Sequence, residues 1–255
     1  MKIERIEKLT RKWWFFAGLI ALQFVVMPFS TKNFGFENIE DMVGWTLSHA
    51  IQLQMRSYYL YFQVLALVVL FALFLFKNRM KKVFSLYSAL SYVAFALLQN
   101  VAVTEEYGLS VVSVNVLMFL MVAYVWFLES KLPENDYSFD NLNWKTAWMI
   151  PLALLAFWLP INQYLRFDFS LSRFLFSGSS LTFCMMTPVF LTIMTLNLPK
   201  VNLVTYRVTA IIGVIIGCYN MMMFQNPQRI NLALIHLPLM IISVYAVIVG
   251  YRMRR

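Results

Sequence analysis

Charge is what this chain has least of. Only 13% of its 255 residues are Asp, Glu, Lys or Arg, and 61% are hydrophobic. A soluble domain is about a quarter charged and about half apolar. A water-shielded core cannot hold that much apolar surface, so hydrocarbon has to be the solvent for much of the chain. Cysteine is scarce too. Cys184 and Cys218 both fall in apolar runs and make no CxxC pair, which argues against a disulfide framework. Histidine is limited to His49 and His236, too few for a three-histidine zinc site. Missing as well are a GxSxG elbow, an HExxH helix and a phosphate-cradling loop. Every lysine lies in a loop or at a membrane boundary, so none can form the Schiff base of a retinal protein. Arginine ladders and potassium-filter sequences are absent. No catalytic residue is assigned, and the chain reads as a non-enzyme.

What is present is a series of eight apolar runs, at about 13–29, 58–76, 83–103, 109–128, 144–161, 175–198, 204–224 and 230–249. A helix needs ~20 apolar residues to cross a bilayer, and the runs lack the period-2 alternation of a membrane strand. The fold class expected is therefore an all-α integral membrane protein with about eight spans. The sixth run, diluted by Thr182, Thr187, Thr192, Thr195 and Asn197, is the weakest. The first run ends Met27-Pro28-Phe29-Ser30 with no small-x-small cleavage site, and reads as a retained span rather than a signal peptide.

The net charge of +9 could suggest nucleic acid, but the basic residues sit between apolar runs rather than in one patch. Placed on eight spans with both termini in the cytoplasm, all 21 lysines and arginines are internal except Lys32, Arg56, Arg166, Arg173 and Arg229. That is the positive-inside pattern. The expected location is a membrane (the cytoplasmic membrane, in a prokaryote), and the expected partner is lipid rather than nucleic acid.

The connections are short, so 1–255 is read as a single polytopic domain. Residues 31–57 carry Ile39, Met42, Val43, Leu47, Ala50 and Ile51 at helical spacing, with Glu40, Asp41 and Gln52 off the stripe, as in an amphipathic helix lying on the outer surface. The polar inner loop 129–143 divides the chain into halves, 1–128 and 144–255. Asn115 and Tyr124, and likewise His236 and Tyr245, are spaced alike in the two halves. Two readings stay open: a 4+4 parallel repeat about an axis along the membrane normal, and chance similarity among Leu/Val-rich helices.

Polar side chains are costly in hydrocarbon and become candidates for function. Gln99, Asn100, Glu105 and Glu106 close the third span, and Asn115 lies early in the fourth. Asn220 ends the seventh, and His236 lies early in the eighth. Together they outline an outward-facing polar cavity between helix pairs 3/4 and 7/8. The alternative is that the amides only hold helices together. Gly213 and Gly217 form a GxxxG suited to close helix packing. Cys184, Met185, Cys218, Met222, His236 and His49 supply the soft and imidazole donors that copper accepts, and the two histidines could be the axial pair of a b-type haem. No cofactor is expected on the leading reading.

That leading reading is binding or transport of a small solute through the outer cavity. The alternatives are an accessory subunit bound to partner membrane subunits, a haem- or copper-binding redox protein, and a lipid-modifying enzyme using Glu105 or Glu106 as base. An oligomer is compatible with each.

Overall fold

The computed structural model describes residues 2–139, 142 and 144–253, with side chains from Ile6 onward. Arg254, Arg255 and residues 140, 141 and 143 of the inner loop lie outside the described residues. Helices dominate, in the order α1 (Lys2–Thr10), α2 (Trp13–Val25), α3 (Ile39–Ser48), α4 (Ile51–Gln54), α5 (Tyr59–Phe76), α6 (Lys81–Gln99), α7 (Ser113–Lys131), α8 (Met149–Trp158), α9 (Leu171–Phe176), α10 (Phe183–Leu196), α11 (Leu203–Met221) and α12 (Ile230–Arg252). Four continuous helical stretches are long and apolar enough to cross a membrane: Arg56–Gln99, Ser113–Lys131, Leu203–Gln225 and Pro227–Arg252. A fifth is added if the pair Leu171–Leu181 and Phe183–Leu196, bent by 88°, counts as one span. Apolar side chains on these helices face outward. Phe71 and Phe74 of α5 are 64% and 65% exposed, an arrangement that suits lipid and not water.

The stretch Arg56–Gln99 has 44 residues, and as one straight helix would be roughly 66 Å long at ~1.5 Å per residue. It does not run straight. Gln63, near its start, accepts from Ser179 Oγ at 3.0 Å, while Gln99, at its end, accepts from Phe183 N at 3.0 Å. Both ends thus return to the same five-residue segment. The reversal sits at Lys77, whose φ of 50° ends α5 ahead of a short 3-10 turn.

Similar ties orient the other helices between two ends of the molecule. At one end, Asn78, Asp136 and Lys200 meet. At the other, α3 and α4 pack beside a small sheet. That sheet is the departure from an all-helical fold. Strands β1 (Phe29–Ser30), β2 (Val101–Thr104) and β3 (Gly108–Val111) pair antiparallel in the order β1-β3-β2. Expected spans three and four therefore stop short: 101–111 is a β-hairpin, not helix. Val101, Val103 and Val111 suit an extended backbone. Gly108 turns the chain at φ 62°, and a Cβ there would collide with the Thr31 side chain.

Other expected boundaries are corrected as well. The fifth run yields only the ten-residue α8, ~15 Å of helix, and α2 spans only ~20 Å, against a hydrocarbon core of ~30 Å. The sixth run is broken between α9 and α10. The surface segment 31–57 is two helices, interrupted at His49–Ala50, and Gln52 is buried, not off the stripe. Its amide donates to Thr182 Oγ1 at 2.8 Å. The stripe residues Met42 and Ala50 are buried, whereas Leu47 is exposed.

An aromatic core joins the helices. Phe84, Tyr92, Trp126 and Phe190 pack edge-on or tilted, and Phe119 stacks on Phe183 with centroids 4.1 Å apart. Trp126 Nε1 donates to Thr209 Oγ1 at 3.1 Å, satisfying an N–H that has no water nearby.

The Asp136 end holds a polar knot. Glu129, read from sequence as a loop residue, lies in the last turn of α7 and is 0% exposed. Its Oε1 accepts the backbone N–H groups of Glu134 and Asn135, both at 2.8 Å, and its Oε2 accepts Asn202 Nδ2 at 2.9 Å. Asn202 Oδ1 in turn caps α11 by accepting from Val204 N and Thr205 N. Around this knot Asn135 Nδ2, Tyr137 Oη and Arg207 Nη1 are buried without a hydrogen-bond partner among the described residues. Arg207 falls near the start of the seventh apolar run. It is 1% exposed inside α11, donating through Nε to Gly250 O at 2.8 Å and through Nη2 to Met253 O at 2.9 Å. These are terminal carbonyls of α12, which have no partner within their own helix.

Candidate ligand cavity

The sheet end contains two adjoining cavities. The smaller, about 360 Å³, is lined by Gln99, Asn100, Asn115, Phe119, Cys184 and Asn220, with Ile39, Val43 and Leu47 of α3 over it and Gln23 of α2 at its side. The larger, about 620 Å³, shares Leu47, Gln99, Cys184 and Asn220 with the first and adds His236, Gln52, Arg56, Asn162 and Arg173. Four shared residues make the two compartments neighbours across Gln99, Cys184 and Asn220.

The local folding explains why amides face this space. Asn100 ends α6, where its Nδ2 donates to Phe95 O at 2.9 Å and so satisfies a carbonyl of the last turn. That leaves its Oδ1 to accept Asn115 Nδ2 at 2.9 Å, which links the end of α6 to the start of α7 behind the β-hairpin. Gln99 Oε1 accepts the N–H of Phe183, one of the donors left unpaired at the start of α10. Asn220 Nδ2 donates to Cys184 Sγ at 3.2 Å. His236 Nδ1 pairs with Leu232 O at 2.7 Å, one turn back on α12.

All of these side chains except Asn100 keep one polar atom in reserve. Among the described residues, Gln99 Nε2, Asn115 Oδ1, Asn220 Oδ1 and His236 Nε2 make no hydrogen bond. None of the four is among the sealed, unpartnered atoms; they belong to residues lining the cavities. The site therefore offers a donor, two carbonyl acceptors and an imidazole nitrogen within a mostly apolar surround, as small-molecule sites commonly do.

The other expected residues fall elsewhere. Glu105 and Glu106 are exposed in the β-hairpin turn and line neither cavity. Of the soft-donor set, Cys184, Met185 and His236 line the larger cavity, but Cys218, Met222 and His49 do not. Cys218 and Met222 are exposed, and His49 stacks on Trp45 with ring centroids 4.3 Å apart. His49 and His236 thus do not share a cavity. Among the described residues, no group of three or more His, Cys, Asp or Glu could hold a metal ion. Gly213 and Gly217 lie against α12: a Cβ at Gly213 would collide with Ser243 Oγ, and one at Gly217 would come 3.1 Å from Met240 Sδ.

Sequence reasoning missed Gln52, Arg56, Asn162 and Arg173 as lining residues. The two arginines did carry a signal, because they are among the few basic residues at the sparsely charged end. Comparison with known protein families, curated proteins and solved structures returns no match. The geometry of the site is therefore what carries a functional reading.

Proposed function

We propose that this chain is an integral membrane protein of eight passes that binds a small polar solute in the joined cavities and carries it across the bilayer. Eight helical segments, α2, α5, α6, α7, α8, α10, α11 and α12, support the passes, with the short α2 and α8 completed by the residues that flank them. Both termini face the cytoplasm on this reading, because most lysines and arginines gather at the Glu129 end. The cavities then open toward the outer side.

One observation carries the function. Four side chains from α6, α7, α11 and α12 each spend one polar atom on structure and leave another unpaired while lining a cavity large enough for a ligand. The Asn115–Asn100 pair joins helices, but that role does not account for the unpaired atoms beside so large a space. Because each helix contributes one group, a ligand bridging them would couple its own position to helix packing. That coupling is what alternating access between inner and outer openings requires.

The test is a thermal-shift and uptake panel of neutral and zwitterionic solutes (sugars, amino acids, nucleosides) on the purified protein in nanodiscs and proteoliposomes. At least one solute should raise the unfolding temperature of the wild type and enter vesicles. Asn115→Leu and His236→Leu should lose at least tenfold in affinity, the direction expected when a buried acceptor is removed. Unchanged affinity and flux in both variants would refute the function.

A further inference from the structure

We propose that the larger cavity binds the anionic head of an amphipathic molecule, a phosphate or carboxylate on an apolar body, with Arg56 and Arg173 as its anchors. This deepens, and rests on, the ligand-binding function assigned to the joined cavities.

Arg56 immediately precedes α5 and Arg173 lies in α9, so two separate elements deliver guanidinium groups to one cavity. Among the described residues, no Asp or Glu lines it. Neither guanidinium makes a hydrogen bond or ion pair with any described residue, and Arg173 Nε is sealed from solvent with no acceptor. A buried N–H without a partner costs ~1–3 kcal/mol, and nearly all such groups find one in a folded protein. The two cations also act on each other and jointly on the Tyr59 hydroxyl between their elements. An anion seated there would relieve both conditions at once. Asp168 is the carboxylate whose field reaches Arg173. It lies outside the cavity, and its Oδ1 accepts from Ser170 N at 3.0 Å in its own loop.

The planar fork of arginine matches phosphate and carboxylate oxygens. Asn162 adds a free amide donor, since its Oδ1 is taken by the N–H groups of Tyr164 and Arg166. The wall also has a substantial apolar part, formed by Leu53, Leu159, Phe176, Met185, Met223 and Leu232, beside polar groups such as Gln52, Gln99 and His236. A small inorganic anion would leave that wall unfilled, whereas an alkyl body would cover it at roughly 0.8 kcal/mol per buried CH₂.

The experiment titrates hexyl phosphate, inorganic phosphate and hexylamine against the purified chain in phosphatidylcholine nanodiscs, read by microscale thermophoresis. Hexyl phosphate should bind at least tenfold more tightly than inorganic phosphate, and hexylamine should not bind. Arg173→Gln should weaken hexyl phosphate tenfold or more, with partial recovery in Arg173→Lys. Arg56→Gln, a change at an exposed side chain, should weaken it in the same direction and serves if Arg173→Gln does not fold. Doping the nanodiscs with phosphatidylglycerol separates the sources: competition identifies a lipid headgroup and its absence a free amphiphile, both within the assignment. Equal binding of inorganic phosphate, binding of hexylamine, or indifference to both arginine substitutions would overturn it. A wild type that responds to neutral solutes but not to hexyl phosphate overturns this assignment alone; one that responds to neither overturns the proposed function as well.

Discussion

The two ends of this molecule use the same kinds of polar side chain in opposite ways. At the Glu129 end, both carboxylate oxygens are occupied, and Asn202 fills every role its amide has. The space beside Asn202 is about 10 Å³, room for no more than a single water. At the sheet end, Gln99, Asn115, Asn220 and His236 are each half-used around cavities of about 360 and 620 Å³. A carboxylate with both oxygens paired and almost no void beside it marks a structural joint, and partial satisfaction beside a large void marks a place for something else. Polar content alone does not distinguish them; the remaining valences and the space do.

The sharpest way to break this contrast is a pair of substitutions, one at each end. Glu129→Ala strands two backbone N–H groups and one amide, and each buried unpaired group costs ~1–3 kcal/mol, so a loss of about 3 kcal/mol or more is expected. Asn115→Leu strands a single buried acceptor, Asn100 Oδ1, and should cost about 1 kcal/mol, well below the loss at Glu129. Thermal unfolding in detergent measures both, and equal losses would mean that the sheet-end amides are structural too.

A finer comparison lies within α11 alone. Asn202→Ala removes its N-terminal cap, for which ~1–2 kcal/mol is typical. Asn220→Ala, near the other end of the same helix, gives up one long contact to sulfur and should be near neutral. A reversed order in unfolding temperature would dissolve the distinction.

The smallest effect concerns acid. Asn78 donates to Asp136 at 2.7 Å, and with Ser138 and Lys200 holds its carboxyl down at about 2. A depressed carboxylate contributes stability that is present above its unfolded value of ~3.9 and is lost as pH falls through the folded one. The wild type should therefore lose a little stability between about pH 4 and pH 2, and Asp136→Asn should not show that component. A pH series of unfolding temperatures on the two proteins checks it; identical acid limbs would remove Asp136 from the joint.

Much of the helical plan could be read from hydropathy, because uninterrupted apolar runs in α5, α6, α7, α11 and α12 leave no competing pattern. The sheet could not. Val101–Thr104 and Gly108–Val111 are as apolar as the helices beside them, and a run of four residues is too short for its period to be decided. Glu129 reads as a loop residue, and the burial of Arg207 goes unseen, for a related reason. Hydropathy registers that a side chain is charged and is blind to partners from distant segments, here residues 134, 135 and 202, and 250 and 253. Gln99, Asn100, Asn115 and Asn220 were identifiable as cavity candidates because counting residues along a helix gives depth. His236 stands apart in the larger compartment, and Arg56 and Arg173 escaped notice because a loop position explains a charge too easily.

Arg207 has a consequence for how the chain is built. The ribosome delivers α11 before the carbonyls of Gly250 and Met253 exist, so its guanidinium first meets the bilayer alone, and such a group resists entering hydrocarbon. Helices α11 and α12 should accordingly be integrated as a hairpin pair rather than one after the other, with the later segment supplying what the earlier one needs in order to stay.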